Sequence, residues 1–380
     1  MNKYQICNSC IMDTSDKGIV FDDNGVCNHC KNYIQKSTLI KKENNQDNLS
    51  KIIEKIKVEG KSNIFDCLIG ISGGFDSTYI CYLAKKFGLR PLLVHLDNGW
   101  DSEIAVQNIE KIIKNTNFQY LNHIINWEEF RDIQLAFLEA SVVDIELPTD
   151  VAIFNLLPKI AVKNKIKYIL SGSNFSTENT MGFEWNHNKK KDQTNVISIK
   201  NKFSTRQIKT YPLISDYEIF LMNKILKLKE IKFFDYLEIN FEEMKKDISN
   251  EFNWVEYDHK HGESFFTSFY QRYILPKKFN IDKRRAHLSS LICSEQITRN
   301  EAIKEVSKNL YTNKIEEKND LEFFLNKLNL TKTELDKIMK LPIKSHESYN
   351  ENISFSNNFE KIKILILSIL IRLRNKLKKL

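Results

Sequence analysis

Two groups of residues in this chain have types and spacing that can do chemistry. The first is Ser72-Gly73-Gly74-Phe75-Asp76-Ser77, directly after the apolar run Ile64-Phe65-Asp66-Cys67-Leu68-Ile69-Gly70-Ile71. A short apolar run stopped by Ser-Gly-Gly reads as a buried strand turning into a helix. Such a turn aims several backbone N–H groups at one point. Glycine lets an anion come close to the chain, and the helix start adds its positive dipole end. Ser72 and Ser77 can donate hydroxyls to phosphate. Asp76 would repel phosphate unless a cation lies between them, which suits it to ligate Mg²⁺. A tight turn with an Asp/Ser cap would use the same residue types, but the strand before and the helix after favour the anion site. No Gly-Lys-Ser/Thr follows, so this is not a Walker loop.

The second group is Cys7-x-x-Cys10 and Cys27-x-x-Cys30, separated by 16 residues. Each pair can bend around one ion, and the spacing fits a Cys₄ zinc site on two knuckles, with an iron–sulfur cluster as the main rival. Four thiolates leave no open coordination position, so a structural role is expected. His29 is expected at the surface rather than as a competing ligand. Cys67, Cys81 and Cys293 sit in apolar sequence surroundings and read as buried, inert thiols.

The elements that must position these groups follow from periodicity. Strands are expected at 64–71, 89–96, 118–125 and 166–170, with helices over 76–87, 103–114 and 150–164. Strand and helix alternating in this way specify an α/β domain with a doubly wound parallel sheet. Ligands of such sheets bind beyond the carboxyl ends of the strands. The unusual residues stand there: Ser72–Ser77, Asp97-Asn98-Gly99-Trp100 and Ser171-Gly172-Ser173-Asn174. The division expected is a zinc module over 1–35, a helical linker over 36–63, the nucleotide-binding α/β domain over 64–214 and a mainly helical substrate or partner region over 215–380. Within this, 182–212 reads as a loop carrying Lys189-Lys190-Lys191. Trp100 reads as core rather than as a base-stacking platform.

With 380 residues, 42% of them hydrophobic, the chain can bury two or three cores. The net charge of +8 suits an anionic ligand but is too diffuse to specify nucleic acid. Seven cysteines, an odd number with four in C-x-x-C pairs, argue against an extracellular disulfide framework. No leader-like segment precedes Cys7 and no apolar run is long enough to span a bilayer, so a cytoplasmic protein is expected. Residues 361–380 alternate Ile/Leu with Lys361, Lys363, Arg372, Arg374, Lys376, Lys378 and Lys379. A final helix packed on the body is expected. The other reading is a helix that makes peripheral membrane or partner contact.

The turn Ser-Gly-Gly-x-Asp-Ser resembles the PP-loop of ATP pyrophosphatases, which cleave ATP between the α and β phosphates and adenylate a carbonyl-type oxygen. Position x is Phe75, where Lys is common in close relatives. Further stretches resemble the N-acetyl sugar amidotransferase family within it: Cys10-Ile-Met-Asp-Thr-Ser-Asp16, Gly25-Val-Cys-Asn-His-Cys30, Gly70–Ser77, His95–Trp100, Pro148-Thr-Asp150, Gly172-Ser-Asn174 with Glu178, Lys260-His-Gly-Glu-Ser264 and Asp282-Lys-Arg-Arg285. The resemblance covers roughly residues 1–310. It implies a bacterial surface-polysaccharide enzyme, in lipopolysaccharide or O-antigen synthesis, that turns an acetamido group on a nucleotide-linked sugar into an acetamidino group. ATP, Mg²⁺ and structural Zn²⁺ are the expected cofactors.

On this reading Ser72, Gly73, Gly74, Asp76, Ser77, Asp97, Asn98, Gly172 and Asn174 bind ATP. Asp76 and Glu178 hold magnesium, with Asp150 a further candidate for metal or ammonium contact. Lys260, His261, Arg284 and Arg285 join Asp76 and Ser77 in handling pyrophosphate or the sugar nucleotide, although a solvated basic face would use the same four residues. The chain carries no glutaminase signature such as an N-terminal cysteine or a nucleophile elbow. If ammonia is the nucleophile, a partner must deliver it, and the resemblance implies a HisH-like glutaminase working with a HisF-like barrel. The alternatives are a tRNA-modifying PP-loop enzyme, against which stands the absence of a basic, aromatic-rich module, and a non-catalytic nucleotide-binding scaffold.

Overall fold

The structure, a computed structural model, describes residues 4–43, 46–237, 239–351, 353, 355 and 358–377. Its centre is a sheet of five parallel strands: β1 (Cys67–Gly70), β2 (Pro91–Asp97), β3 (Gln119–Ile124), β4 (Tyr168–Ser171) and β5 (Lys229–Lys232), in the order β3-β2-β1-β4-β5. The register pairs Leu68 with Leu92 and with Ile169, and Leu93 with Tyr120. Helices Phe75–Lys86, Glu103–Thr116, Trp127–Ala140 and Leu147–Lys163 lie between the first four strands. The first four strands and the three helices expected with them are present within a few residues of their anticipated limits.

Alternation along the strands explains why both faces are covered. Cys67, Ile69 and Leu93 enter one apolar cluster with Ile80, Leu83, Phe233 and Phe234, while Leu68, Leu92 and Val94 enter another with Leu156 and Ile160. Leu93 has no exposed surface, so truncating it to alanine would cost about 2–5 kcal/mol. Local signals set the helix ends. Ser102 and Asn126 accept from the backbone N–H groups of Ala105 and Glu129, and the helices end at Asn117 (φ 55°) and Ser141 (φ 57°).

Two expectations require correction. The 182–212 stretch is not all loop: Gln193–Phe203 is a helix capped by Asp192, whose carboxylate accepts from the N–H of Asn195. The region beyond 214 also contributes β5 to the sheet, paired parallel with β4. Its sequence Lys-Glu-Ile-Lys lies at an edge, with three of its four residues exposed, so no apolar pattern announces it. The last helix, Asn358–Leu377, packs on Asp216–Phe220, as expected, and leaves a second set of apolar residues, among them Ile362, Ile366 and Ile369, exposed. Lys378 and Lys379 lie outside the described residues.

The cysteine-bearing segment is fastened to the C-terminal helices. The N–H of Ile11 donates to the Ser289 hydroxyl (3.2 Å), the Arg285 guanidinium pairs with Asp13 (3.0 Å), and Arg299 donates to the carbonyls of Cys7 and Cys10. The four cysteines share one apolar core with Phe130, Tyr270 and Phe324.

Candidate functional site

The strand order reverses direction between β1 and β4, and a doubly wound sheet opens a crevice at such a point. The loop after β1 holds Ser72–Ser77, and the loop after β4 holds Gly172–Asn174. Gly73 has φ +76°, and a Cβ there would stand 2.4 Å from the Ala105 carbonyl oxygen, so both conformation and space demand glycine. The N–H groups of Ser72 and Gly74 lean on the Ser77 and Ser72 hydroxyls at 3.2 and 3.3 Å, and the Ser77 hydroxyl donates to the Gly74 carbonyl (3.2 Å). Ser72 is exposed, so the cradle is open.

One contact explains how the loop is held. The Gly73 carbonyl accepts three donors: Trp254 Nε1 (2.9 Å), the Tyr257 hydroxyl (2.9 Å) and Asn108 Nδ2 (3.3 Å). Phe75 points away from the anion position and packs among Tyr79, Phe234, Phe241 and Trp254. Phe75 is thus an aromatic anchor of the loop.

The loop from 258 to 264 crosses the cradle. It is tied down by a bridge between Asp101 and Ser264, by the Ser102 N–H donating to the Glu263 carbonyl (3.0 Å) and by the Phe265 N–H donating to the Trp100 carbonyl (2.9 Å). Glu263 thereby comes within 3.5 Å of where a Cβ on Gly74 would stand. Lys260 runs through the open crevice and bonds through Nζ to Nδ1 of His287 (2.7 Å). Asp76, Glu178 and Glu263 are close enough to act on the Lys260 charge. Burial, with Glu178 adding its own charge, pushes the Asp76 carboxyl up to about 7. Asn174 donates to Asp76 at 3.4 Å, and a Cβ on Gly172 would stand 3.0 Å from that of Asp76.

Carboxylates this crowded beside an anion cradle fit a divalent cation. Asp76 and Glu178 would hold it, and it would neutralise phosphate charge. Asp97 caps the turn after β2 by accepting from the Gly99 N–H (2.9 Å), and Asn98 reaches Thr149 (3.3 Å). Trp100 is core: it is 1% exposed and its indole N–H donates to Gln134 (2.8 Å).

Not every expected residue lies here. Arg284 pairs with Asp282 and donates to the carbonyls of Glu305, Val306 and Lys308, fastening the end of a neighbouring helix. Arg285 is spent on Asp13 and on the Ile11 carbonyl. Both arginines therefore serve structure, because each has a carboxylate partner closer than the crevice. Asp150 pairs with Lys190 (2.9 Å), which also holds the buried Asp144 (2.5 Å), so it is not free for ammonium. His261, at φ 63°, faces Glu263 (3.4 Å). Sequence reasoning missed His287, Asn108, Trp254, Tyr257 and Glu263. Only Glu263 carried a signal, because it lies beside Lys260 and His261.

The four cysteines converge. Their sulfurs all lie within 4.8 Å of one another, with Cys10–Cys27 at 3.6 Å, Cys27–Cys30 at 3.7 Å and Cys7–Cys30 at 3.9 Å. Sulfurs about 2.3 Å from a tetrahedral zinc ion would be separated by about 3.8 Å, so the set fits zinc. The N–H groups of Ser9, Cys10 and Cys27 point at the Cys7 sulfur, as thiolates require. His29 is neither ligand nor free surface residue: its Nε2 lies 2.6 Å from Asp16. Cys293 departs from its expected isolation, with its sulfur 4.0 Å from that of Cys30.

Residues 263–363 match the family model described as "LPS biosynthesis protein WbpG-like, C-terminal domain". The chain is also 28% identical over 112 residues to the "uncharacterized protein MJ1599" of Methanocaldococcus jannaschii. That alignment covers 28% of this chain and spans 38% of the relative's length. Among solved structures it is similar to NMN synthetase from Francisella tularensis (14% identity, TM-score 0.27, 55% of this chain and 86% of that one). It is also similar to NH3-dependent NAD synthetase from Campylobacter jejuni (14% identity, TM-score 0.28, 54% and 91%). Among the described residues no helix is long and apolar enough to cross a membrane.

Proposed function

We propose that this protein is an ATP-consuming, AMP-forming amidotransferase acting on the acetamido group of a nucleotide-linked sugar in the synthesis of lipopolysaccharide or a related glycan. The observation that carries the reading is the glycine cradle at the sheet's switch point, with Asp76 and Glu178 on one side and Lys260 held in the crevice by His287. The WbpG-like match, which starts within the loop that crosses the cradle, supports the biosynthetic setting.

ATP phosphates would rest on the N–H groups of the first helical turn after Gly74, with the nucleoside toward Asp97 and Asn98 at the end of β2. A divalent cation, when bound, would offset the charge between the phosphates and Asp76. The acetamido oxygen attacks the α-phosphorus and pyrophosphate leaves. Ammonia then adds to the adenylated carbon, AMP departs with the original oxygen, and the amidine remains. Lys260 would stabilise the departing pyrophosphate, since positioning and charge neutralisation dominate such transfers. His287 holds Lys260 in place, and Asn108, Trp254 and Tyr257 hold the loop. Ammonia would come from a HisH-like glutaminase acting with a HisF-like barrel.

The test is mass spectrometry of UDP-N-acetyl sugars incubated with ATP, magnesium and ammonium. Replacing the oxygen by NH lowers the mass by about one dalton, with AMP formed in equal amount. Absence of AMP with every candidate sugar refutes the reading. AMP formed only with RNA present would instead identify a tRNA-modifying enzyme.

A further inference from the structure

The last helix turns its most apolar side outward. On Asn358–Leu377 the half-buried positions include Ile364, Leu367, Ser368 and Ile371, on the side away from the exposed stripe. The helix packs on Asp216–Phe220, and the Ser215 hydroxyl donates to Glu360 (3.3 Å). Phe359, Ile362, Leu365, Ile366, Ile369 and Leu370 are between 48% and 65% exposed. From Ile362 their spacing is i, i+3, i+4, i+7, i+8, which makes one stripe about 140° wide at 3.6 residues per turn.

Charge borders this stripe. Lys361 and Lys363 fall by register on its two edges and are exposed, and the Lys363 ammonium lies 4.4 Å from the Phe359 ring centre. Residues 358–380 contain seven basic residues against the single acid Glu360. The segment that continues from Asp216–Phe220 exposes Lys224, Lys227, Lys229 and Lys232 against the one acid Glu230, together with Ile225. A second copy of this face would set lysine against lysine, which disfavours self-pairing. An anionic bilayer is complementary on both counts: the stripe enters the acyl boundary while the lysine stems lie along it and return their charges to the phosphates.

We infer that Asn358–Leu377 docks the protein in the plane of an anionic lipid surface. This inference is independent of the proposed reaction.

The test is sedimentation of the full chain with phosphatidylglycerol-containing vesicles and with neutral phosphatidylcholine vesicles, alongside light scattering of the chain alone. The wild type is expected to sediment with the anionic vesicles only, and added salt should release it. The pair Ile366→Glu/Ile369→Glu and the pair Lys361→Glu/Lys363→Glu should each weaken binding by about 10-fold or more. The second pair changes only exposed charges, so it decides the matter should the first disturb folding. Vesicle binding that is absent in the wild type, or equal in wild type and charge variant, overturns the inference. So does a wild-type dimer that Ile366→Glu/Ile369→Glu dissociates.

Discussion

The indole N–H of Trp254 donates to the carbonyl oxygen of Gly73 at 2.9 Å, across 181 residues of chain. With that carbonyl engaged, the N–H groups of the first helical turn after Gly74 are those left to face an anion. Trp254→Phe keeps the aromatic packing against Phe75 and removes one of three donors. The expected loss is about 1 kcal/mol of loop bracing, seen as a rise of about five-fold in KM for ATP with kcat little changed. An unchanged KM would mean that Asn108 and Tyr257 suffice.

Lys260 and Arg285 stand close in the sequence readings and far apart in role. Lys260→Met should reduce pyrophosphate release on the order of 100-fold, without lowering the melting temperature. Arg285→Ala should do the reverse. It leaves Asp13 buried without its partner and costs about 2–3 kcal/mol of stability, while turnover per folded molecule stays near wild type. Equal activity losses in both variants would return Arg285 to the crevice.

Zinc analysis tests the cysteine cluster. Purified protein should contain one zinc ion per chain, and Cys10→Ser should lose it and unfold at lower temperature. Because Arg299 and Ser289 grip the knuckle backbone, the loss should loosen the C-terminal helices as well. Hydrogen exchange in the helix Arg284–Cys293 would detect this, and unchanged exchange there would contradict it.

A pH dependence follows from His346. Its Nδ1 bonds to Asn195 (2.8 Å) and its Nε2 accepts the Asp144 N–H (3.3 Å), an arrangement only the neutral ring can make. Burial holds its pKa down at about 4, against 6.5 for an ordinary histidine. Between these values the unfolded chain carries the extra proton, so stability rises with pH from about 4 to 6.5, by at most about 3 kcal/mol. His346→Gln should flatten denaturant midpoints measured across that window. A slope unchanged in the variant would assign the effect to other groups.

The parts of the fold legible in the sequence were those with a strong period: β1 to β4, the helices between them, and the glycine turn whose chemistry is local. Strand β5 was hidden because an edge strand of Lys-Glu-Ile-Lys has no buried face to write into its pattern. The cradle's contents were half legible. Asp76 and Lys260 announced themselves by motif, but His287 and Trp254 act only through long-range contacts that no spacing encodes. Arg285 misled for the same reason: an arginine fork looks alike in sequence whether it grips a diphosphate or a carbonyl, and Asp13 decides between them only in three dimensions, whereas Arg284 has its partner Asp282 two residues away.

The bracing of Gly73 also has a consequence for synthesis. The strand and helix that form the loop leave the ribosome long before Trp254 and Tyr257 do, so all five strands of the sheet are made while the loop still lacks these two braces. On the proposed reading, nucleotide retention would depend on the later segment that supplies Trp254 and Tyr257. Stalled chains ending before residue 254 should hold an ATP analogue more weakly than chains ending after the helix Arg284–Cys293, and equal retention would refute the link.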